Sequence, residues 1–408
     1  MLEWKHPTES RLRYALFPLA MLYWGIVFWR NIFYTFGFFI SRKLPTKVIS
    51  IGNITAGGTG KTPAVIYLAK LFLKNGIKVG VLSRGYGRKT AGTQLVTGGE
   101  TAVDDWRNFG DEPTLIAQKL PEVPVVVDSN RHRGGMFLIK NFGPDIIIMD
   151  DGFQHRAIER DIDIVLINSQ DTRAEHKLLP YGFLREPWMS LKRADLLIFT
   201  KSNIKKPATF LIAMAKQTKR PWFQSELISG SVTSIDGKIK EANKGMKILA
   251  ISAIGDTKGF IKTLKNTGFY VVDAMTFVDH YDYTQADVEK AKKKIMNSTA
   301  EMAITTTKDA IKLSQLDLSG LDIYSIEAEF KLSQGDEKKL MTLLAFNCNY
   351  ICAIPQANIT PTKDNNKGQP ALIICRALGS SNTWIWNSWE VTAPRASNAI
   401  KIISLGPR

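Results

Sequence analysis

A glycine-rich turn between a strand and a helix constrains this chain more than any other feature. Lys47 to Ile51 is a short apolar run expected as a strand. Residues 55–62 then read T-A-G-G-T-G-K-T, and Pro63 to Lys74 carries apolar residues at helical spacing until Asn75-Gly76 ends it. Gly57, Gly58 and Gly60 allow backbone N–H groups to turn inward on phosphate oxygens at a helix N-terminus. Lys61 is placed to reach the β- and γ-phosphates of a nucleotide and Thr62 to put its hydroxyl on Mg²⁺. The full pattern asks for glycine at position 55, where the chain has Thr55. A plain glycine-rich turn is the competing reading, and the flanking strand and helix argue against it. Thr55, Ala56, Gly57, Gly58, Thr59, Gly60, Lys61 and Thr62 are therefore expected to bind ATP.

A phosphate loop needs a partner carboxylate. Asp145-Ile-Ile-Ile-Met-Asp-Asp151 supplies one, as a buried strand delivering Asp150 and Asp151 at its C-terminal end. Adjacent carboxylates point to opposite sides, so one can ligate the metal while the other is held by Lys61 or water. Further strands are expected at Val79–Ser83, Val123–Asp128, Ile162–Ile167 and Leu196–Thr200, several nearly all apolar, as in a parallel sheet buried on both faces. Past Pro221 the pattern restarts. Lys247–Ser252 reads as strand, Gly259–Thr267 as helix, Tyr270–Val272 as strand, a Lys-rich helix begins at Gln285, and Ile323–Ile326 is a last strand. The expected fold is α/β, a P-loop NTPase-like mostly parallel sheet (41–225) with an N-terminal membrane helix (10–40) and a second, smaller α/β domain (226–345). Residues 346–408 have few charges and no sustained period. They read as a tail of unclear nature, either an appendage or a non-native reading frame.

From Tyr14 to Trp29 no charge occurs, and after Arg30-Asn31 a second apolar stretch continues to Ile40. As one helix these residues would measure about 40 Å, enough to cross the hydrocarbon or lie obliquely in it, and Arg30 favours the oblique arrangement. No small-residue cleavage site follows, which argues against a signal peptide. A helix pair in the protein's own core is the alternative; the aromatic residues and basic ends favour the membrane, with the following domain on the cytoplasmic side. The formal charge of +16 suits negatively charged partners without choosing among them. Its dispersal, with aromatics concentrated in the apolar N-terminus, speaks against nucleic acid. The three cysteines, Cys348, Cys352 and Cys375, match no zinc pattern and read as reduced thiols of a cytoplasmic protein.

Phosphoryl transfer to a hydroxyl requires a group that takes or orients the proton, and cations near the transferring phosphoryl. Asp111 and Glu112 sit at a turn before a helix, where, taken alone, an N-cap with an acidic first turn is the favoured reading. His155 follows the Asp pair closely enough to line its cleft. Arg84, Tyr86 and Arg88 follow one strand, and Arg131, His132 and Arg133 another, at the ends where ligands of open α/β sheets collect; solvated basic loops are the alternative for both groups. A membrane-associated NTP switch is the competing function. The guanine-reading Asn-Lys-x-Asp it would carry is absent, since Asn243-Lys244-Gly245-Met246 lacks the Asp.

Together the motifs resemble the tetraacyldisaccharide 4'-kinase family, the lipid A pathway kinases of Gram-negative bacteria. The resemblance covers roughly residues 10 to 345 and rests on GNITAGGTGKTP (52–63), SRGYGR (83–88), GDEP (110–113), DDGFQHR (150–156), LPYGFLREP (179–187), FVDHYDY (277–283) and TTTKDAIKL (305–313). It implies ATP- and Mg²⁺-dependent phosphorylation of the 4'-hydroxyl of a tetraacylated glucosamine disaccharide 1-phosphate at the cytoplasmic face of the inner membrane. No nucleic acid and no obligate protein partner are implied. It also implies that Asp111 is the catalytic base with His280 its partner, that Asp150 and Asp151 coordinate the metal, and that Tyr86, Glu112, Arg131, His155, Arg185 and Glu186 line the cleft. An imidazole from the second domain would complete the site only when the domains close. Tyr181 and Phe183 stand where the family has smaller residues, Thr307 stands where it has Glu, and the tail after residue 345 matches nothing in it.

Overall fold

The computed structural model describes residues 11–98, 105–235, 245–348, 357–361 and 373–377. Most of the tail expected from residue 346 onward lies outside them, as do Ser10, Asn243 and Lys244. Within the tail, β13 (Ala357–Pro361) and β14 (Ile373–Ala377) form an antiparallel pair. The described residues divide into two units, one ending at Met341 and the other beginning at Thr342.

After a 3-10 turn at Arg11–Leu16, α1 spans Phe17–Thr35, β1 Lys47–Asn53, α2 Lys61–Lys74, β2 Val79–Ser83 and β3 Gln94–Thr97. The short α3 (Trp106–Phe109) precedes α4 (Asp111–Lys119), β4 (Val125–Val127), α5 (Arg131–Phe142) and β5 (Ile146–Asp150). Next come β6 (Ile162–Asn168), β7 (Leu196–Thr200), α6 (Thr209–Thr218) and β8 (Trp222–Ser234). The remainder is β9 (Lys247–Ser252), α7 (Thr257–Thr267), β10 (Tyr270–Thr276), α8 (Gln285–Met296), β11 (Met302–Thr306), α9 (Thr307–Leu313), β12 (Ile323–Leu332) and α10 (Gln334–Cys348).

Strands β1 to β12 build one twelve-stranded sheet in the order β10-β9-β11-β12-β8-β7-β6-β1-β5-β2-β4-β3. Within it only the pairs β3 with β4 and β8 with β12 are antiparallel. Strands β1, β5, β6 and β7 are apolar on both faces, because helices and loops cover each side. Leu44, Val48, Leu82, Leu138 and Ile147 pack in one layer, while Ile54, Phe153, Val165, Phe199 and Leu211 pack in another. In the smaller half, Leu249, Met275, Val288 and Ile323 form one cluster and Ile248, Phe260, Leu264 and Ile304 a second.

The boundary expected at 225/226 falls inside β8, which the two halves share. Residues 222–224 of β8 pair in parallel with β7, and residues 225–234 run on past the end of β7 to pair antiparallel with β12. Strands β9, β10 and β11 run parallel to β12, so their C-terminal ends point back at the C-terminal ends of β1, β2, β5 and β7. Loops from both halves therefore converge on one cleft. The helix expected over 14–40 is shorter: α1 ends at Thr35, where the Phe36 N–H closes on Ile32 O and Gly37 turns the chain at φ +78.

Candidate active site

The phosphate loop leaves the C-terminal end of β1. Gly60, at φ +81, precedes the first turn of α2, a conformation that strains any residue with a Cβ. Asn53 braces the loop from within, its amide donating to Thr55 O at 2.7 Å and Thr59 Oγ1 at 3.0 Å. Ala56 N–H donates to Phe183 O at 2.7 Å, and Thr55 bridges to Leu184. Position 55 is thus a pairing position in which threonine is accommodated. Thr62 is buried in the first turn of α2. Lys61 Nζ lies 3.4 Å from Asn53 Oδ1 and 3.5 Å from Asp151 Oδ1.

Strand β5 lies beside β1 and delivers the two aspartates to different surroundings. Asp150 Oδ2 accepts from Ser83 Oγ at 3.0 Å, whereas its buried Oδ1 has no hydrogen-bond partner. Burial, with Glu112 and Asp151 nearby, pushes the Asp150 carboxyl up to about 7. Asp151 adopts φ +48 and accepts from Arg185 at 2.9 and 3.2 Å. Burial raises its pKa, but Lys61 and Arg185 prevail and hold it at about 2. The expected metal pair is therefore unequal: Asp150 presents a free oxygen, and Asp151 is engaged by two cations. Among the described residues no three His, Cys, Asp or Glu side chains converge as a metal cluster. Mg²⁺ takes one or two carboxylates and completes its shell with water and phosphate oxygens. The orphaned Asp150 Oδ1 and the Thr62 hydroxyl are the groups that fit it.

Asp111 opens α4 after Gly110, whose φ of +97 and close approach to Tyr86 O leave no room for a Cβ. The Asp111 side chain is almost fully buried and its oxygens are crowded with donors. Oδ1 accepts the Glu112 N–H at 2.9 Å, while Oδ2 faces His280 Nδ1 at 2.9 Å and Lys312 Nζ at 3.0 Å. Burial raises the carboxyl, yet the His280 hydrogen bond, Lys308 and Lys312 hold it well below the usual carboxylate range. His280 sits at φ +62 between β10 and α8, with Nε2 facing Lys308 Nζ at 3.4 Å and the Tyr86 ring 5.1 Å from its own. Lys308 also approaches Glu112 at 3.4 Å and Asp279 at 3.6 Å. Burial lowers its ammonium pKa, but Glu112, Asp111 and Asp279 carry it above the ordinary lysine range. Asp111 and His280, the expected dyad, are in contact, and they rest on two lysines of the TTTKDAIKL segment to which the sequence reading gave no role. Lys308 and Lys312, one turn apart in α9, put two cations on one helix face, which was the available signal.

The remaining expected cleft residues divide. Tyr86 and Glu112 adjoin the dyad, and Arg185 holds Asp151. Arg131 lies beneath the aspartates, donating to Asp128 O at 2.9 Å and Asp150 O at 3.3 Å, and burial against the pull of both aspartates brings it to about 10. It is a buried support. His155 is partly buried and held neutral, since burial and then Arg131, Arg160 and Arg84 bring it down to about 4. Glu186 corrects the expectation more sharply. Its fully buried carboxylate accepts from Arg30 at 2.7 Å, Arg193 at 2.8 Å and Asn31 at 3.2 Å, so it fastens α1 to the body. Tyr181 serves the same junction, its ring 6.2 Å from that of Tyr14 and 5.9 Å from that of Phe17.

The family model for tetraacyldisaccharide-1-P 4'-kinase matches residues 12–347. The tetraacyldisaccharide 4'-kinase of Aquifex aeolicus is 37% identical over 338 residues, covering 82% of this chain and 98% of that protein. Its counterpart from Chlorobaculum tepidum is 37% identical over 304 residues, covering 73% and 85%. The crystal structure of the "apo" form of LpxK from Aquifex aeolicus in complex with ATP superposes with a TM-score of 0.67 at 35% identity, covering 82% of this chain and 99% of that one. With the phosphate loop, the aspartate pair and the dyad in place over that whole length, the chain belongs to the tetraacyldisaccharide-1-P 4'-kinase family.

Proposed function

We propose that this protein transfers the γ-phosphoryl group of ATP to the 4'-hydroxyl of a tetraacylated glucosamine disaccharide 1-phosphate, at the cytoplasmic face of the inner membrane, in lipopolysaccharide biosynthesis. The observation that carries the reading is the contact of Asp111 with His280 beside a phosphate loop. A proton acceptor facing the nucleotide cleft is what transfer to an alcohol needs. The loop N–H groups and Lys61 hold the β- and γ-phosphates, and Lys61 leaves Asp151 to Arg185 as it does so. Asp111, kept ionised by Lys308 and Lys312, takes the proton of the 4'-hydroxyl while His280 fixes the carboxylate. The hydroxyl oxygen bonds to the γ-phosphorus, the bond to the β-phosphate oxygen breaks, and ADP departs. Mg²⁺ held by Thr62 and Asp150 would neutralise charge on the phosphates.

Membrane attachment rests on α1. Tyr14–Thr35 is long and apolar enough to cross a bilayer, but it is docked lengthwise. Ala20 and Val27 are buried on the same face as Tyr23, which donates to Arg185 O at 2.8 Å, and as Arg30 and Asn31 on Glu186. Leu19, Leu22, Ile26 and Trp29 are exposed on the other side. A helix held along the body in this way lies in one leaflet, with its polar stripe satisfied by protein and its apolar stripe by acyl chains.

The test is a radiolabelled-ATP assay comparing the lipid disaccharide 1-phosphate with water alone. Label transferred to the lipid supports the kinase. Release of phosphate without transfer would make the protein a nucleotide switch.

A further inference from the structure

Two consecutive residues at the end of β7 grip the phosphate loop from outside. Thr200 Oγ1 donates to Thr59 O at 2.9 Å, and Lys201 Nζ donates to Gly58 O at 2.9 Å. In a trans peptide the N–H points opposite to the C=O, so drawing Thr59 O outward turns the Gly60 N–H toward the cradle. The Thr59 N–H meanwhile closes on Gly57 O at 3.0 Å. Lys201 is buried and stands at φ +60, a conformation lysine rarely adopts. Its ammonium has a second partner, the carboxylate of Asp256, which also draws Gln170 Nε2 at 3.5 Å.

Asp256 belongs to the other half of the sheet, on the loop after β9, where its Oδ1 caps α7 through the Gly259 N–H at 2.9 Å. The preceding Gly255 lies against the phosphate loop. A Cβ there would stand 3.2 Å from Gly58 N, 3.3 Å from Gly57 Cα and 3.3 Å from Asp279 Oδ2. Asp279 is the neighbour of His280. One short stretch thus touches the phosphate loop, its lysine brace and the residue beside the dyad histidine.

We infer that Lys201 and Asp256 are a positioning pair that sets the phosphate loop when the half carrying His280 closes, so that nucleotide affinity and assembly of the dyad are coupled. Without Asp256 the buried Lys201 ammonium keeps the Gly58 carbonyl as its hydrogen-bond partner and loses its ion-pair partner, with Asp171 the carboxylate left in its surroundings, and its hold on Gly58 O slackens. Because linkage is reciprocal, whatever opens the His280 side also weakens nucleotide binding. The inference rests on the ATP reading above.

It is tested by calorimetric titration of a non-hydrolysable ATP analogue into the full chain in detergent. Lys201→Met is expected to weaken binding about tenfold, the size of one charged hydrogen bond. Asp256→Asn, which keeps the helix cap, weakens it several-fold alone and adds nothing in the Lys201→Met background. His280→Ala weakens it measurably in the wild-type background and has no further effect when Lys201 is Met. With ATP as the varied substrate, Lys201→Met and Asp256→Asn raise its KM, while the rate at saturating ATP, and so kcat, changes little. Wild-type affinity in Lys201→Met, or losses that multiply in the double variants, overturns the coupling. Failure of the wild-type chain to bind the analogue would instead overturn the ATP reading.

Discussion

His280 Nδ1 lies 2.9 Å from Asp111 Oδ2 across 169 residues of sequence, and the buried Lys312 reaches the same oxygen at 3.0 Å. The carboxylate is therefore both the proposed base and the counter-charge of a lysine with almost no access to water. Catalysis and stability meet at one atom, and a substitution there disturbs both.

Asp111→Asn is expected to lower kcat by about 10²–10⁴, the ordinary worth of a positioned base. It also takes the carboxylate charge from the buried Lys312, which keeps the Tyr281 carbonyl as its hydrogen-bond partner, costing about 3–5 kcal/mol of stability. Adding Lys312→Met should restore the thermal midpoint without restoring activity. Calorimetry and the transfer assay on the single and double variants separate the two roles; a double variant no more stable than Asp111→Asn would refute the pairing.

His155 gives a pH dependence of definite sign. Its folded value is depressed to about 4 by burial and then by Arg131, Arg160 and Arg84. Between that value and its unfolded value near 6.5 the unfolded chain binds a proton that the folded chain refuses, so stability falls as pH drops through that window. His155→Gln should flatten the acid side of a denaturation-midpoint profile between about pH 6.5 and 4. An unchanged slope would show that His155 titrates normally in the fold.

Serine at Leu22, Ile26 and Trp29 together should release the protein from vesicles. These side chains are exposed, so the body should melt unchanged, while each forfeits roughly 1.5–3 kcal/mol of burial in acyl chains. Vesicle co-sedimentation checks the first effect and a melting curve the second. Retained sedimentation would place the membrane contact elsewhere.

Thr55→Gly completes the phosphate-loop pattern, yet it is expected to gain nothing. Thr55 is buried and bridges to Leu184, so glycine loosens an ordered segment at a cost of about 0.5–1 kcal/mol. ATP affinity should hold or fall. A tighter-binding variant would mean that Thr55 hinders the loop.

The sequence by itself determined the local units. Lys47–Ile51, the glycine loop and the apolar helix after it favoured a phosphate-binding turn over a plain one, and the apolar run of Asp145–Met149 led to a pair of carboxylates at a strand's C-terminal end. Both follow from short-range sterics and burial. The resemblance in motifs named Asp111 and His280, but distance in sequence says nothing about distance in space. What the tertiary structure decided lies in β8. Past Pro221 the pattern looked like a fresh start, because a strand that changes partners halfway has no local signature. Hydrogen bonding to β7 on one stretch and to β12 on the next turned the smaller half around. That reversal brings His280, Lys308 and Lys312 to Asp111, lays Gly255 on the phosphate loop, and fills the lysine brace at Gly58. Glu186 carries the same lesson in one residue: its motif placed it in the cleft, and only the packed helix α1 shows that its charge belongs to Arg30 and Arg193.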